Sequence, residues 1–321
     1  MDALTVDTLS GLVDGPRARG AFLLRSVLNP PWSLRIEDHA PLSLVTMIHG
    51  DAWIVPDVGP PAQLRPGEVA ILRGPDEYTI ADTPTTPPHV VIGEGQVCTV
   101  ISGPGFAPPK NLGVRTWGDG GDTVMLSGTY SMTGEIGQRL LRALPPVLIR
   151  PAGADNALIP LLANEIVRDE PGQELVLDRI LDLLLVTILR AWLGDPGTGA
   201  PAWYRAQHDP VVGAALRLIH EDPAEQWTVA ELATRTGVSR AALARRFTAL
   251  VGEPPMAYLT GLRLALAADL LRDPDATLGA VARRVGYGSA FALSAAFKRV
   301  RGVSPQEHRN QGFTPIVLAT T

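Results

Sequence analysis

Two segments of the chain place arginines beside the same pattern of Gly, Ser, Leu and Phe. Residues 235–247 read RTGVSRAALARRF, and residues 284–297 read RVGYGSAFALSAAF. A guanidinium group binds phosphate oxygens, and from a helix in the major groove it can donate two hydrogen bonds to guanine O6 and N7. The chemistry that these segments could carry is therefore recognition of double-stranded DNA.

The two segments are copies of one unit. The matched pairs are Ala233 with Ala282 and Gly237 with Gly286 at an offset of 49, then Ser239 with Ser289, Leu243 with Leu293, Phe247 with Phe297 and Gly252 with Gly302 at an offset of 50. One extra residue in the second turn explains the change of offset. Each copy predicts a helix, a turn whose glycine adopts a positive φ, and a second helix capped by the serine.

Helical periodicity divides each second helix into a buried face and an exposed face. The residues predicted to be buried are Leu243, Phe247 and Leu250 in the first copy and Leu293, Phe297 and Val300 in the second. The exposed face of the first copy carries Ala241, Arg245 and Thr248, flanked by Arg240, Ala244 and Arg246. We expect Arg245 to read a base, and Arg240 and Arg246 to neutralise phosphates.

The exposed face of the second copy differs in its chemistry. Its candidate contacts are Ser289, Phe291, Ser294, Ala295, Lys298 and Arg299. Phe291 offers an apolar contact for a thymine methyl group, but the centre of this face has no arginine. Its sequence specificity should therefore be the weaker of the two.

The segment between the copies, PPMAYLTGLRLALAADLLRD, predicts a helix of about 18 residues and roughly 27 Å. Such a helix can set the two reading helices about one duplex turn, roughly 34 Å, apart. Taken singly, a helix pair with a glycine turn is commonplace and surface arginines are usually solvated. Duplication of cap, glycine, core and basic face together favours DNA binding over packing alone.

Residues 210–309 resemble the AraC/XylS family of bacterial transcription regulators. The resemblance is carried by WTVAELATRTGVSRAALARRF, GEPPMAYLTGLRLALAADLL and VARRVGYGSAFALSAAFKRVRGVSPQEHR. It implies that the helices starting at Ser239 and Ser289 enter successive major-groove segments of promoter DNA. It also implies a homodimer and RNA polymerase as a further partner. Members of the family often carry arginine at the position of Ala295.

The first 150 or so residues include PRARGAFLLRSVLNPPWSL near their start and DTVMLSGTYSMTGEIGQRLLRALPPVL near their end. With these segments the region is similar to the cupin-like ligand domain attached to many of these regulators, which implies a small-molecule effector. From residue 17 to 130 the sequence consists of short β-branched stretches between Pro and Gly turns, which is typical of a barrel or sandwich. The expected fold class is α+β: an N-terminal cupin-like β-barrel with flanking helices, and a C-terminal all-α domain. The expected divisions are a cupin-like domain at 1–135, a helical region at 136–193, a linker at 194–208, the DNA-binding domain at 209–309 and a flexible tail at 310–321.

One helix of the N-terminal half has a broad apolar face. Within 173–193 this face comprises Leu177, Leu181, Leu184, Leu185, Ile188 and Trp192. The face could cover the barrel or form the seam to a second subunit, and the sequence does not separate these alternatives.

The barrel lacks the histidine pattern of a metal-dependent cupin. In MIHGDAWIV, His49 stands alone, whereas a metal site needs converging imidazoles and a carboxylate. We therefore expect neither a metal nor another cofactor, and no catalytic residue. Trp53 and Tyr78 could line a small-molecule site, with Arg25 or Arg73 as an orienting charge, although all four are equally compatible with packing and surface roles.

Composition limits the alternatives. Hydrophobic residues at 45% and charged residues at 19% are typical of a globular protein, and neither a signal peptide nor a membrane-spanning run is present, so we expect a cytoplasmic location. Lys and Arg number 13 against 10 Asp and Glu from residue 209 onward, and 15 against 23 before it, so only the C-terminal part could face a polyanion.

Two enzymatic alternatives remain to be weighed against a regulator. The first is a cupin metalloenzyme with an accessory helical domain. The second is a DNA repair methyltransferase, which would need a zinc-bound cysteine cluster. The chain has a single cysteine, Cys98, which we expect to be a small buried hydrophobic residue.

Overall fold

The computed structural model describes residues 22–101, 108–130, 135–153, 157–195 and 202–311. These residues divide into two compact units. One contains residues 22–130 and 140–195, and the other contains residues 135–139 and 202–311. The predicted tail at 310–321 falls mostly outside the described residues, as does the first half of the predicted linker.

The first unit is built from two sheets. Its strands are β1 Phe22–Leu28, β2 Ser33–Ile36, β3 Leu42–His49, β4 Ala52–Pro56, β5 Ala62–Leu64, β6 Glu68–Arg73, β7 Tyr78–Ala81, β8 Val90–Ile92, β9 Cys98–Val100, β10 Lys110–Gly113, β11 Thr116–Gly118, β12 Thr123–Tyr130 and β13 Val147–Pro151. The larger sheet has the order β10-β11-β1-β12-β3-β6-β13, and the smaller has the order β5-β4-β7-β2-β8-β9. This architecture confirms the predicted sheet-rich N-terminal part.

Alternate residues of the strands fill the space between the sheets. In β4, Ala52 and Ile54 lie in this core, and in β6 Ala70 and Leu72 do so. Trp32 is the largest side chain in it and is almost completely buried. The period of two arises because successive side chains of a strand point to opposite faces of its sheet.

Helix α1 Glu135–Ala143 lies between β12 and β13 in the chain, and α2 Leu158–Glu165 and α3 Gln173–Gly194 follow β13. All six residues of the predicted apolar face of α3 are buried. The Tyr130 hydroxyl at the end of β12 donates a hydrogen bond to the carbonyl of Leu181 at 2.9 Å. Of the two alternatives for this face, the structure therefore shows that it covers the sheet.

The second unit is helical. Its helices are α4 Ala202–Arg205, α5 Val212–Glu221, α6 Val229–Arg235, α7 Arg240–Val251, α8 Pro255–Leu270, α9 Leu278–Arg284, α10 Ala290–Arg301 and α11 Pro305–Gln311, with a 3-10 turn at Ala206–His208 between α4 and α5. Residues 202–208 were predicted to be linker but are helical, and Ala206 is buried in the core of this unit. None of the described helices is long and apolar enough to cross a membrane.

Helix α8 joins two small cores. Its residues Tyr258, Leu259 and Leu262 belong to the core around α5, α6 and α7. Further along, Leu264 and Ala267 belong to the core around α9 and α10. The helix has 16 residues, so it is about 24 Å long and slightly shorter than the sequence predicted.

Three burial predictions were wrong. Leu250 is 37% exposed and Val300 is 55% exposed, because the inner row of each helix continues four residues after its buried Phe, at Val251 and Arg301, rather than three residues after it. Cys98 is exposed, because β9 is the edge strand of the smaller sheet.

The covering role of α3 leads to a stability prediction. We expect Leu185→Ala to lower the free energy of unfolding of the sheet unit by about 2–5 kcal/mol, since it empties a completely buried site. Leu112→Ala, at an exposed position of β10, is the matched control and should cost about 0.5 kcal/mol or less. Urea unfolding of the full chain measures both, and equal losses would contradict the packing of α3.

Candidate nucleic-acid interface

The first helix-turn-helix consists of α6 and α7. The Thr228 hydroxyl accepts a hydrogen bond from the Glu231 amide at 3.1 Å and so caps α6. Ser239 caps α7 in the same way, accepting from the Ala242 amide at 3.2 Å. Gly237, in the turn between them, has φ +72°, which confirms the predicted glycine geometry.

The second helix-turn-helix repeats this construction in α9 and α10. Thr277 caps α9 by accepting from Ala280, and Ser289 caps α10 by accepting from the Ala292 amide at 3.1 Å. Gly286 in the turn has φ +80°. The duplication deduced from the sequence is therefore a duplication of hydrogen bonds and backbone geometry.

Helix α7 presents the predicted residues on its outer side. Arg240, Ala241, Arg245 and Thr248 are exposed and Ala244 is half-buried, while Leu243 and Phe247 on the inner side are completely buried. The described residues contain no ion-pair partner for Arg240 or Arg245, so both guanidinium groups are available to an external anion or base.

Arg246 has a partner within the same unit. Its Nε and Nη2 lie 2.8 Å and 2.6 Å from Oδ2 of Asp209. The other carboxylate oxygen of Asp209 accepts hydrogen bonds from the amides of Val211 and Val212 at the start of α5. Although partial burial opposes it, these amides and the guanidinium lower the pKa of Asp209. The phosphate role of Arg246 stays a prediction, in which a phosphate would compete with the carboxylate that ties α7 to α5.

Helix α10 presents a mixed apolar and basic surface. Phe291 is 83% exposed, an extreme value for a phenylalanine. Ser289, Ala295, Lys298 and Arg299 are also exposed, and Ser294 is half-buried. The structure therefore brings the predicted contacts of the second copy onto one accessible side of the helix.

The sequence analysis did not single out several basic residues of the helical unit, among them Arg263, Arg283 and Arg284. Arg283 and Arg284 are exposed in the last turn of α9. Arg263 is half-buried in the middle of α8 and donates hydrogen bonds to the carbonyls of Pro223 and Glu225. The available signal was that Arg263 is the one basic residue of an otherwise mostly apolar helix.

The sheet unit contains a small cavity of about 30 Å³ lined by residues of both sheets. Tyr78 lines it, together with Ser43 and Asp38. Nε2 of Gln96 donates a hydrogen bond to Asp38 at 2.7 Å. Burial raises the pKa of Tyr78, even though a hydrogen bond with Ser43 opposes the shift.

The other three predicted ligand residues do not line this cavity. Leu24 and Ser26 face it, so Arg25 between them lies on the opposite face of the larger sheet. Trp53 likewise lies on the opposite side of β4 from the core residues that flank it. Arg73 is not among the residues that line the cavity, and its Nη1 donates a hydrogen bond to the carbonyl of Leu144 at 2.8 Å.

No group of three His, Cys, Asp or Glu side chains in the described part of the chain could hold a metal ion.

Residues 7–194 match the family model described as Cupin, and residues 232–311 match a helix-turn-helix domain model. The chain is 32% identical over 316 residues to an AraC-like transcription regulator of Streptomyces lividans, covering 97% of this chain and 100% of that relative. It is 36% identical over 254 residues to an AraC-like transcription regulator of Streptomyces antibioticus, covering 78% of this chain and 80% of that relative. Among solved structures, the DNA-binding domain of AdpA in complex with a target DNA is 35% identical, covering 32% of this chain and 92% of that chain with a TM-score of 0.31.

The relatives are named as transcription regulators, which favours a regulator over the alternative of a cupin metalloenzyme. The chain belongs to the family of AraC-like transcription regulators and combines an N-terminal cupin domain with a C-terminal helix-turn-helix DNA-binding domain.

Proposed function

We propose that this protein is a cytoplasmic homodimer that controls transcription by reading two successive major-groove segments of promoter DNA with α7 and α10, under control of a small-molecule effector. RNA polymerase bound at the same promoter is the further partner. The observation that carries the DNA-binding part is the exposed side of each of these helices, with its basic residues, opposite a completely buried Leu and Phe.

Helix α7 supports base readout by an arginine. Ala241 and Ala244 are small and flank the direction in which Arg245 extends, so the helix backbone can approach base edges closely. Arg245 then reaches guanine O6 and N7 with two donors, as a single ammonium group could not. Arg240, in the first turn, is suited to a phosphate at the groove edge.

Helix α10 supports a different readout. The position matching Arg245 is Ala295, and the position matching Ala241 is Phe291. Phe291 is the exposed apolar group that a thymine methyl would contact, and Lys298 and Arg299 supply phosphate contacts. Most of the base specificity should therefore come from α7.

Substituting Arg245 tests the readout. We expect Arg245→Ala to lose about 1–3 kcal/mol of discrimination at one guanine of the selected site, because two base hydrogen bonds are removed. Competition binding with single-base variants of a site selected from random DNA measures this loss. Arg272→Ala, an exposed arginine beyond α8, is the control and should keep the wild-type preference.

Two further variants separate phosphate contacts from base contacts. Arg240→Ala should reduce the slope of log affinity against log salt by about 1 while keeping the base preference. Arg246→Ala should change the slope less, since Asp209 already neutralises this guanidinium. An Arg245→Ala protein with unchanged base preference would overturn the assignment of α7.

The dimer is supported by the outer side of α3. Leu175, Val176 and Leu183 are exposed there, opposite the face that covers the sheet. An exposed apolar row on a helix is suited to a twofold contact with the same helix of a second copy.

A charge placed in this row tests the dimer. We expect Leu183→Asp to convert the protein to a monomer in sedimentation experiments, because the carboxylate would be buried without a partner. Val58→Asp, which changes an exposed apolar residue of a sheet-unit loop in the same way, is the control and should remain dimeric. A monomeric wild-type protein would remove this part of the proposal.

The effector is supported by the cavity beside Tyr78, whose walls combine apolar residues with hydroxyl, amide and carboxylate groups. Its volume of about 30 Å³ is far below the roughly 300–1,000 Å³ of ligand sites, so binding requires the sheets to separate. A small molecule with an apolar body and one polar end fits this lining.

Filling the cavity tests the effector. Low-mass, protein-free extract of the source bacterium should raise the unfolding temperature of the wild-type sheet unit, because a ligand that binds only the folded state stabilises it. Ser127→Leu, at a cavity-lining position, should abolish the shift, whereas Thr99→Leu on the exposed edge strand β9 should retain it. A shift that persists in Ser127→Leu would place the ligand elsewhere.

A further inference from the structure

The two helix-turn-helix units are joined by a second contact besides the continuous helix α8. From α8, Arg263 donates from Nε to the carbonyl of Pro223 and from Nη2 to the carbonyl of Glu225, both at 2.6 Å. These carbonyls belong to the loop between α5 and α6, which leads into the first helix-turn-helix. The loop is itself braced, since Asp222 accepts from the amides of Ala224 and Glu225.

The same guanidinium contacts the turn of the second helix-turn-helix. Its central carbon lies 5.9 Å from the ring centroid of Tyr287, the residue that follows the turn glycine. Nε2 of Gln226, in the loop between α5 and α6, donates to the carbonyl of Gly286 at 3.0 Å. Arg263 therefore lies between the α5–α6 loop and the turn of the second helix-turn-helix.

Gly286 permits this close approach. A Cβ atom at this position would lie 2.5 Å from the carbonyl oxygen of Ala224 and 2.8 Å from Nη2 of Arg263. Gly237 occupies the same place in the first turn with nearly the same φ, and a Cβ there would meet no described atom within 4 Å. The two turns are thus alike in conformation and differ in that only the second is docked.

We propose that Arg263 is a positioning residue that fixes the spacing of the two recognition helices on DNA. It does so by docking the turn of the second helix-turn-helix onto the loop between α5 and α6. The inference rests on the proposed function, in which α7 and α10 read one duplex. Two linked readers gain affinity from each other only when their separation matches that of their sites. Docking at Arg263 restricts the swivel that the chain segments at either end of α8 would otherwise allow.

The contact needs arginine rather than a positive charge. A planar guanidinium can donate to two separate carbonyls and lie over an aromatic ring at once, whereas a lysine ammonium is a single point charge. Arg263 also lies outside the two hydrophobic cores of the helical unit. Arg263→Lys should therefore keep both cores and the net charge while loosening the docking.

The experiment uses the full chain and a site selected from random DNA by the wild-type protein, with one base pair inserted or deleted between its two segments. We expect the wild type to lose affinity by about 30-fold or more on either change, as the second helix moves out of register. Arg263→Lys should bind the original site about 5- to 10-fold more weakly and distinguish the three spacings by about 3-fold or less.

The turn glycines supply an independent pair of variants. Gly286→Ala should reproduce the loss of spacing preference, because its Cβ drives the turn away from the loop. Gly237→Ala has the same positive-φ strain without the collision and should keep the wild-type preference. An Arg263→Lys protein with wild-type spacing preference, or identical behaviour of the two glycine variants, would overturn the inference.

Two readouts separate the possible failures. A wild-type protein that is indifferent to spacing, or that gains nothing from the second segment, would contradict reading by both helices. A variant that is merely less stable would lose affinity at all spacings equally and would show a lower unfolding temperature. The expected Arg263→Lys protein instead keeps its Arg245-dependent base preference while its spacing preference is lost.

Discussion

Complete burial of one leucine and one phenylalanine in each recognition helix is the constraint on which the DNA-facing surface depends. Because a helix turns by 100° per residue, burying Leu243 and Phe247 determines which side chains face outward. The ring of Phe247 packs edge-on against Tyr258 of α8, with centroids 5.8 Å apart. Phe297 packs in the same manner against His308 of α11 at 5.4 Å. Each aromatic contact fixes the rotation of a recognition helix about its axis, and with it the direction of every exposed residue.

Helix α8 connects the cores of the two helix-turn-helix units, so it links the orientation of one recognition helix to that of the other. Its buried residues Tyr258, Leu259 and Leu262 belong to the first core, residues from Leu264 onward belong to the second, and the partly buried Leu266 packs against both. Arg263 sits at the change between the two cores. A helix that is apolar on nearly all sides is stable only when it is buried on nearly all sides. At Arg263 this helix instead contacts the backbone of the α5–α6 loop. The guanidinium donates hydrogen bonds to three successive carbonyls of that loop, from Pro223 to Glu225.

Sequence reasoning succeeded where the signal was local and repeated, and was wrong where it was not. Caps, turn glycines and the buried Leu and Phe were predicted because each depends on spacing within a dozen residues. Leu250 and Val300 were misassigned because helical periodicity allows a spacing of either three or four residues, and the next inward position after each buried Phe is Val251 or Arg301. The pairing of Arg246 with Asp209 joins residues 37 positions apart and has no sequence signature.

In the sheet unit the ambiguity lies in strand phase. A strand has a period of two, so an error of one residue moves a side chain from the interior to the exterior. For Trp53 and Arg25 the sequence left this choice open, and the strand phase places both on the side facing away from the space between the sheets. Only Tyr78 of the four candidates lines the cavity.

The two recognition helices are alike in construction and unequal in chemistry, and this inequality gives the docking at Arg263 its importance. In the proposed function, Arg245 discriminates one base pair by itself, since its donors match a unique pattern in the major groove. Its counterpart Ala295 cannot, and an apolar contact from Phe291 discriminates only when the ring is held against a particular methyl group. In the proposed function, the specificity of the second helix is therefore geometric and depends on how rigidly α10 is held at a set distance from α7. A helix with few specific base contacts would need such a positional constraint, and the proposed docking of Arg263 against the turn at Gly286 would supply it.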